Sequence, residues 1–154
     1  MLEHNRSIII QIPEIQCLKK HIGVSSACEL TKQEFACFAV ALRLLAEEME
    51  LDGIIGDADR RVSIYFLDSG TITLTSTNPD SLGEQHAFIL YHVDRWRIAP
   101  REDLQLITIM LEELCHGLYY IRNEAKVKLK VLEILRRNDP DVPLDVINGK
   151  YIRL

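Results

Sequence analysis

The chain has 154 residues, 47% hydrophobic and 27% charged, with 23 acidic against 18 basic side chains and a formal net charge of −5. An acidic chain argues against general nucleic-acid binding, which needs clustered Lys and Arg. No apolar run approaches the roughly 20 residues that a membrane-spanning helix requires, and residues 1–154 read as one domain able to bury a sizeable core.

The four cysteines, Cys17, Cys28, Cys37 and Cys115, form no C-x-x-C pair. A cysteine zinc knuckle or redox pair is therefore not expected, and reduced thiols point to the cytoplasm. Cys37 and Cys115 stand among apolar neighbours and read as small buried residues. The opening "MLEHNRSIIIQIPEIQ" has an apolar patch, but Pro13 and Glu14 cut it short, so it does not read as a signal peptide.

In chain order, Ser7 to Ile12 is a short strand candidate, and "PEIQCLKKHIG" suits a short helix with Pro13 in its first turn and Gly23 past its end. The next helix is better marked. Thr31 and Glu34 have capping-box spacing, and Phe35, Phe38, Leu42, Leu45 and Met49 recur at helical intervals. The acids of "DGIIGDAD" lack the calcium-loop ladder and read as a solvated loop.

The period then changes to two. Val62, Ile64 and Phe66 share one side of "RVSIYFL", and Ile72 and Leu74 share one side of "TITLT", with Asp68 to Gly70 as a hairpin turn between them. "HAFILYHV" is apolar on both alternating sets and is expected to be largely covered. Pro100 opens the next helix, with Leu104, Ile107, Leu111, Leu114, Leu118 and Ile121 as its core stripe. "RNE" (Arg122 to Glu124) breaks the chain before "AKVKLKVLEILRR", whose basic residues read as a solvated face. Asn148-Gly149 in the tail signals a small hairpin. Strands grouped between helices indicate an α+β fold, a mainly antiparallel three- to four-stranded sheet packed against helices.

The candidate chemistry lies in "EELCH". Glu112 and His116 are four residues apart and share a helix face, with Glu113 beside them. Carboxylate oxygens and imidazole nitrogens both bind divalent ions, and a catalytic site usually takes three protein ligands and leaves a position for water. Glu124, where the helix breaks, is the nearest third ligand, and Glu113 is then placed as general base. Tyr120, one turn on, and His92, at the end of the third strand, are assigned to substrate binding. Exchanging imidazole for carboxylate at position 112 adds negative charge and shifts preference toward harder ions, so zinc or manganese is expected.

The helix, three strands and helix bearing E-E-x-x-H resemble the minimal core of zincin-type metallopeptidases over about residues 31–138. That resemblance implies a metal-dependent peptidase. Glu113 matches the catalytic glutamate, and His116 matches the second histidine of H-E-x-x-H. Glu112 replaces the first histidine. It further implies that "HAFILYHV" pairs with a peptide substrate. Two other readings stand beside it: a catalytically inactive, zincin-like module that binds a peptide or protein partner, and a homodimer joined through "LQLITIM" or "AKVKLKVLEIL".

Overall fold

The computed structural model describes Ile8–Ile9, Ile15, Leu18 and residues 22–54, 61–69 and 87–148. In chain order the elements are β1 (Ile8–Ile9), β2 (Ile22–Ser26), α1 (Lys32–Leu51), β3 (Val62–Leu67), β4 (Ala87–His92), α2 (Val93–Trp96), α3 (Asp103–Leu118), α4 (Glu124–Asn138) and a short 3-10 helix, Leu144–Asn148.

The sheet order is β1-β2-β3-β4. β2 runs parallel to β3, with Ile22 opposite Val62, and β3 runs parallel to β4, with Val62 opposite Ala87. Antiparallel pairing is confined, among the described residues, to two-residue β1, where Ile8 faces Ser26. The expected mainly antiparallel α+β sheet is therefore overturned. The arrangement is α/β: three parallel strands with four α-helices among the described residues.

The physical source of the error is β2. "IGVSS" offers only Ile22 and Val24 as apolar residues, and Gly23 read as a helix terminator. With β2 in place, α1 becomes the crossover that a parallel pair requires, since parallel strands cannot be joined by a tight hairpin. The architectural likeness to zincins falls with the antiparallel sheet. The hairpin and strand expected over Asp68 to Thr75 lie outside the described residues from Gly70 onward. So does most of the helix expected to start at Pro13, apart from Ile15, Leu18 and its end at Ile22 and Gly23, which belong to β2 instead, and so does Gly149 of the tail hairpin. The residues before Gly149 are helical instead.

Alternation assigns the faces. Val24 and Ser26 of β2, Val62, Ile64 and Phe66 of β3, and Ile89 and Tyr91 of β4 are buried against the helices. Phe38 of α1 meets Phe66 edge-on at 4.9 Å between ring centroids. Tyr91 donates its hydroxyl to the Met110 carbonyl of α3 at 2.7 Å, which satisfies the one polar atom of a ring otherwise packed in the core. Gly117 lets α3 approach the sheet: a Cβ there would lie 2.9 Å from Ile89 Cδ1. Burying each large apolar side chain of this layer contributes about 1.5–3 kcal/mol. The outward set of β4 behaves differently. Phe88 and Leu90 are 40% and 44% exposed, so the expectation that this strand is covered on both sides fails.

α1 begins as its capping box dictates: Thr31 Oγ1 accepts from Glu34 N–H at 3.1 Å, and Glu34 Oε2 accepts from Thr31 N–H at 2.8 Å. Pro100 lies ahead of α3 rather than in its first turn, because Glu102 caps that helix. α4 packs on α3 and α1. Its basic run is not merely solvated. Lys130 Nζ reaches Glu48 Oε1 at 2.7 Å and Asp52 Oδ2 at 2.8 Å, and Arg137 grips Glu48 through Nε and Nη2 at 2.6 and 2.9 Å. Glu48 itself is 1% exposed. Cys28, Cys37 and Cys115 are buried free thiols. Burial pushes the Cys115 thiol up to about 12 and, with Asp103 and Glu34 nearby, the Cys37 thiol up to about 11. Neither is a nucleophile at neutral pH.

Candidate metal centre

The site forms where α3 ends and α4 begins. α3 stops at Leu118, Tyr119 N–H closes its last turn on the Cys115 carbonyl at 3.0 Å, and Tyr120 follows with φ of 54°. A residue in the left-handed region, usually glycine, is a common device for ending a helix sharply, and Tyr is an uncommon choice for it. Asn123 then starts α4 by accepting Lys126 N–H at 3.0 Å. Glu124 is therefore the first residue of α4, where the positive end of the helix favours its carboxylate.

This short reversal brings Glu124 back over the last turn of α3. One oxygen of Glu112, one oxygen of Glu124 and one ring nitrogen of His116 lie within 4.8 Å of one another. Glu124 Oε1 and His116 Nε2 are 3.5 Å apart. Donors bound tetrahedrally to one zinc-sized ion at about 2.0–2.2 Å stand about 3.3–3.6 Å apart. The His116–Glu124 pair already has that separation, and the group as a whole, with Glu112, lies within 4.8 Å, so side-chain adjustment of up to about an ångström would let the three share an ion.

One ring nitrogen of His116 is engaged by the backbone. Nδ1 faces the Ile121 carbonyl at short range. A carbonyl only accepts, so Nδ1 carries a hydrogen, and Nε2, which faces Glu124, is the ring nitrogen that could ligate an ion. Metal-binding histidines usually have their second nitrogen fixed in this way. Burial, reinforced by the Glu124 and Glu113 carboxylates, holds the Glu112 carboxyl above its ordinary value, against the opposing pull of Lys128 and His116. A cation among these groups would relieve the cost of that crowding.

The remaining assigned residues stand outside the cluster. Glu113, the expected general base, is exposed on α3 next to Glu112 and is not one of the converging groups. His92 is exposed at the end of β4, where it precedes α2. Tyr120 is 46% exposed at the reversal. Tyr119, the other tyrosine, turns away to Asp52, donating its hydroxyl at 2.8 Å beneath Lys130. Trp96 is buried and donates its indole N–H to Glu34 at 3.2 Å.

No family model, curated protein or solved structure matches this chain.

Proposed function

We propose that Glu112, His116 and Glu124 hold a divalent cation, zinc or manganese, and that the centre hydrolyses a peptide or related carbonyl compound with Glu113 as general base. The observation that carries this reading is the convergence of the three donors around a histidine whose second nitrogen is fixed by the Ile121 carbonyl. Three protein donors leave room for water and substrate, and an ion so held supplies a water of lowered pKa and a Lewis acid. Two carboxylates in the set donate charge and moderate that acidity, so slow turnover is expected. Glu113 lies three residues from His116, the spacing of neighbours on a helix surface, and its exposed carboxylate would have to swing toward the ion to take a proton from bound water. Because Glu124 is exposed, the site opens to solvent on the α4 side and admits a substrate without a lid.

Elemental analysis of the purified protein tests the reading. Zinc or manganese near one ion per chain, lost in His116→Ala, supports it. Wild-type protein that stays metal-free after incubation with either ion sinks it.

One observation favours a second reading, the non-catalytic binding module. β4 ends the sheet among the described strands and exposes Phe88 and Leu90 on the face away from the helices. Parallel sheets are usually covered on both faces, so an apolar outer face suits contact with a protein partner. Stoichiometric metal without any turnover would favour this second reading over the first.

A further inference from the structure

A second constellation lies at the opposite end of α3. The first turn of α1 and the connection from α2 to α3 enclose a cavity of about 270 Å³, whose lining includes Thr31, Gln33, Trp96, Arg97, Arg101 and Leu106. Its two arginines differ in electrostatic standing. Arg97 is committed to Glu34, with Nε 2.7 Å from Oε1 and Nη2 2.6 Å from Oε2. Arg101 gives its Nε to the Trp96 carbonyl at 3.1 Å. Among the described residues no carboxylate pairs with its terminal amino groups. The nearby Asp103 carboxylate is taken up by the Gln33 amide at 2.7 Å.

Two guanidinium groups against the one carboxylate of Glu34 leave the wall with one positive charge in excess. The N-terminal end of twenty-residue α1, whose capping residue Thr31 lies in the wall, adds partial positive charge. Ala99, Pro100, Leu106 and Trp96 supply apolar surface beside these polar groups. Drug-sized ligands occupy about 300–1,000 Å³, so this volume suits a smaller molecule.

We propose that this cavity binds a small organic carboxylate. The free edge of the Arg101 guanidinium pairs with the carboxylate through two parallel hydrogen bonds, and a short aliphatic body lies against Pro100 and Leu106. The planar fork of arginine matches a carboxylate in a way that lysine does not.

The test uses the full chain, labelled with nitrogen-15, titrated with butyrate, acetate and inorganic phosphate while the arginine Nε–H and backbone amide resonances are followed. Butyrate should shift Arg101 and the first turn of α1 in a saturable way. It should bind roughly fivefold tighter than acetate, because two methylenes become partly buried. Arg101→Gln should abolish saturation, and Arg101→Lys should weaken it by about tenfold, the loss of one charge-assisted hydrogen bond. Arg101 also holds the Trp96 carbonyl, so Ala99→Leu, which fills the cavity and leaves Arg101 intact, provides an independent variant expected to block butyrate. Shifts that never saturate, equal affinity for acetate and butyrate, tighter binding of phosphate than of butyrate, or unchanged binding in Ala99→Leu would each overturn the proposal.

Discussion

Glu48 of α1 and Lys130 of α4 are joined at 2.7 Å although they lie 82 residues apart, and the carboxylate is 1% exposed. Arg137 completes the pairing on the same carboxylate, and Asp52 and Glu133 share the positive charge. This ionic knot fastens α4 to α1 and thereby fixes where Glu124, at the start of α4, is presented. Removing the Glu48 charge leaves Lys130 to Asp52 and Glu133, but takes from Arg137 its two short charge-assisted bonds and leaves a buried amide in their place. Glu48→Gln should therefore cost about 3 kcal/mol in urea unfolding. The exposed pair Arg43–Glu47, 3.9 Å apart on the same helix, provides the contrast. Glu47→Gln should cost less than about 0.5 kcal/mol.

The knot also sets the acid response. Burial alone would raise the Glu48 carboxyl, but hydrogen bonds from Arg137 and Lys130 outweigh it and hold the group below its ordinary value of 4.5. At Glu34 burial is likewise outweighed, there by Arg97, Thr31 and Trp96. A carboxylate with a folded pKa below its unfolded one stabilises the fold fully above the unfolded value. That stabilisation is lost as pH falls through the folded value. The thermal midpoint should therefore hold from neutrality down to about pH 5 as far as these two groups are concerned, then fall below about pH 4.5. Glu48→Gln should flatten that fall. A wild-type and a variant profile that drop in parallel would contradict the assignment.

Sheet register is testable on adjacent residues. Ile89 is buried under Gly117, whereas Leu90 points to the open face. Ile89→Ala should cost about 3 kcal/mol by cavity formation. Leu90→Ser should cost less than about 1 kcal/mol. If Leu90 carries the partner contact of the second reading, Leu90→Ser should abolish that contact at nearly unchanged stability.

Much of the helical part was legible in the sequence. The Thr31–Glu34 capping box and the spacing of Phe38, Leu42, Leu45 and Met49 located α1, and Leu111, Leu114 and Leu118 located the buried stripe of α3. The reversal at Arg122 to Glu124 was equally visible, and with it the return of Glu124 to His116. Strand pairing was not legible, because alternation marks a strand but carries no record of its neighbour. β2 escaped altogether: Ser26 occupies a core position as a polar residue, its hydroxyl donating to the Cys28 carbonyl two residues on. The burial of Glu48 was hidden for a similar reason. It stands in the acidic run "AEEMEL", and its partners come from a distant helix.

The proposed general base is separable from the proposed ligands by substitution. Glu113→Gln should retain one ion per chain and lower hydrolysis by about 10²- to 10⁴-fold. Unchanged turnover in a metal-loaded Glu113→Gln variant would remove that residue from the mechanism.

Position 112 gives a gain-of-function test. Glu112→His introduces an imidazole on the helix face of His116 and should favour zinc over manganese relative to wild type. No change in the ratio of the two affinities would mean that position 112 does not ligate.

Calorimetric titration of the metal-stripped chain with zinc and with manganese, repeated on His116→Ala and Glu124→Gln, bears most directly on the centre. Saturation at one ion per chain in wild type, lost in His116→Ala and at least about tenfold weaker in Glu124→Gln, is the predicted result. Absence of a saturable site in wild type, or equal binding in all three proteins, would show that the His116–Glu124 contact is only a link between helices.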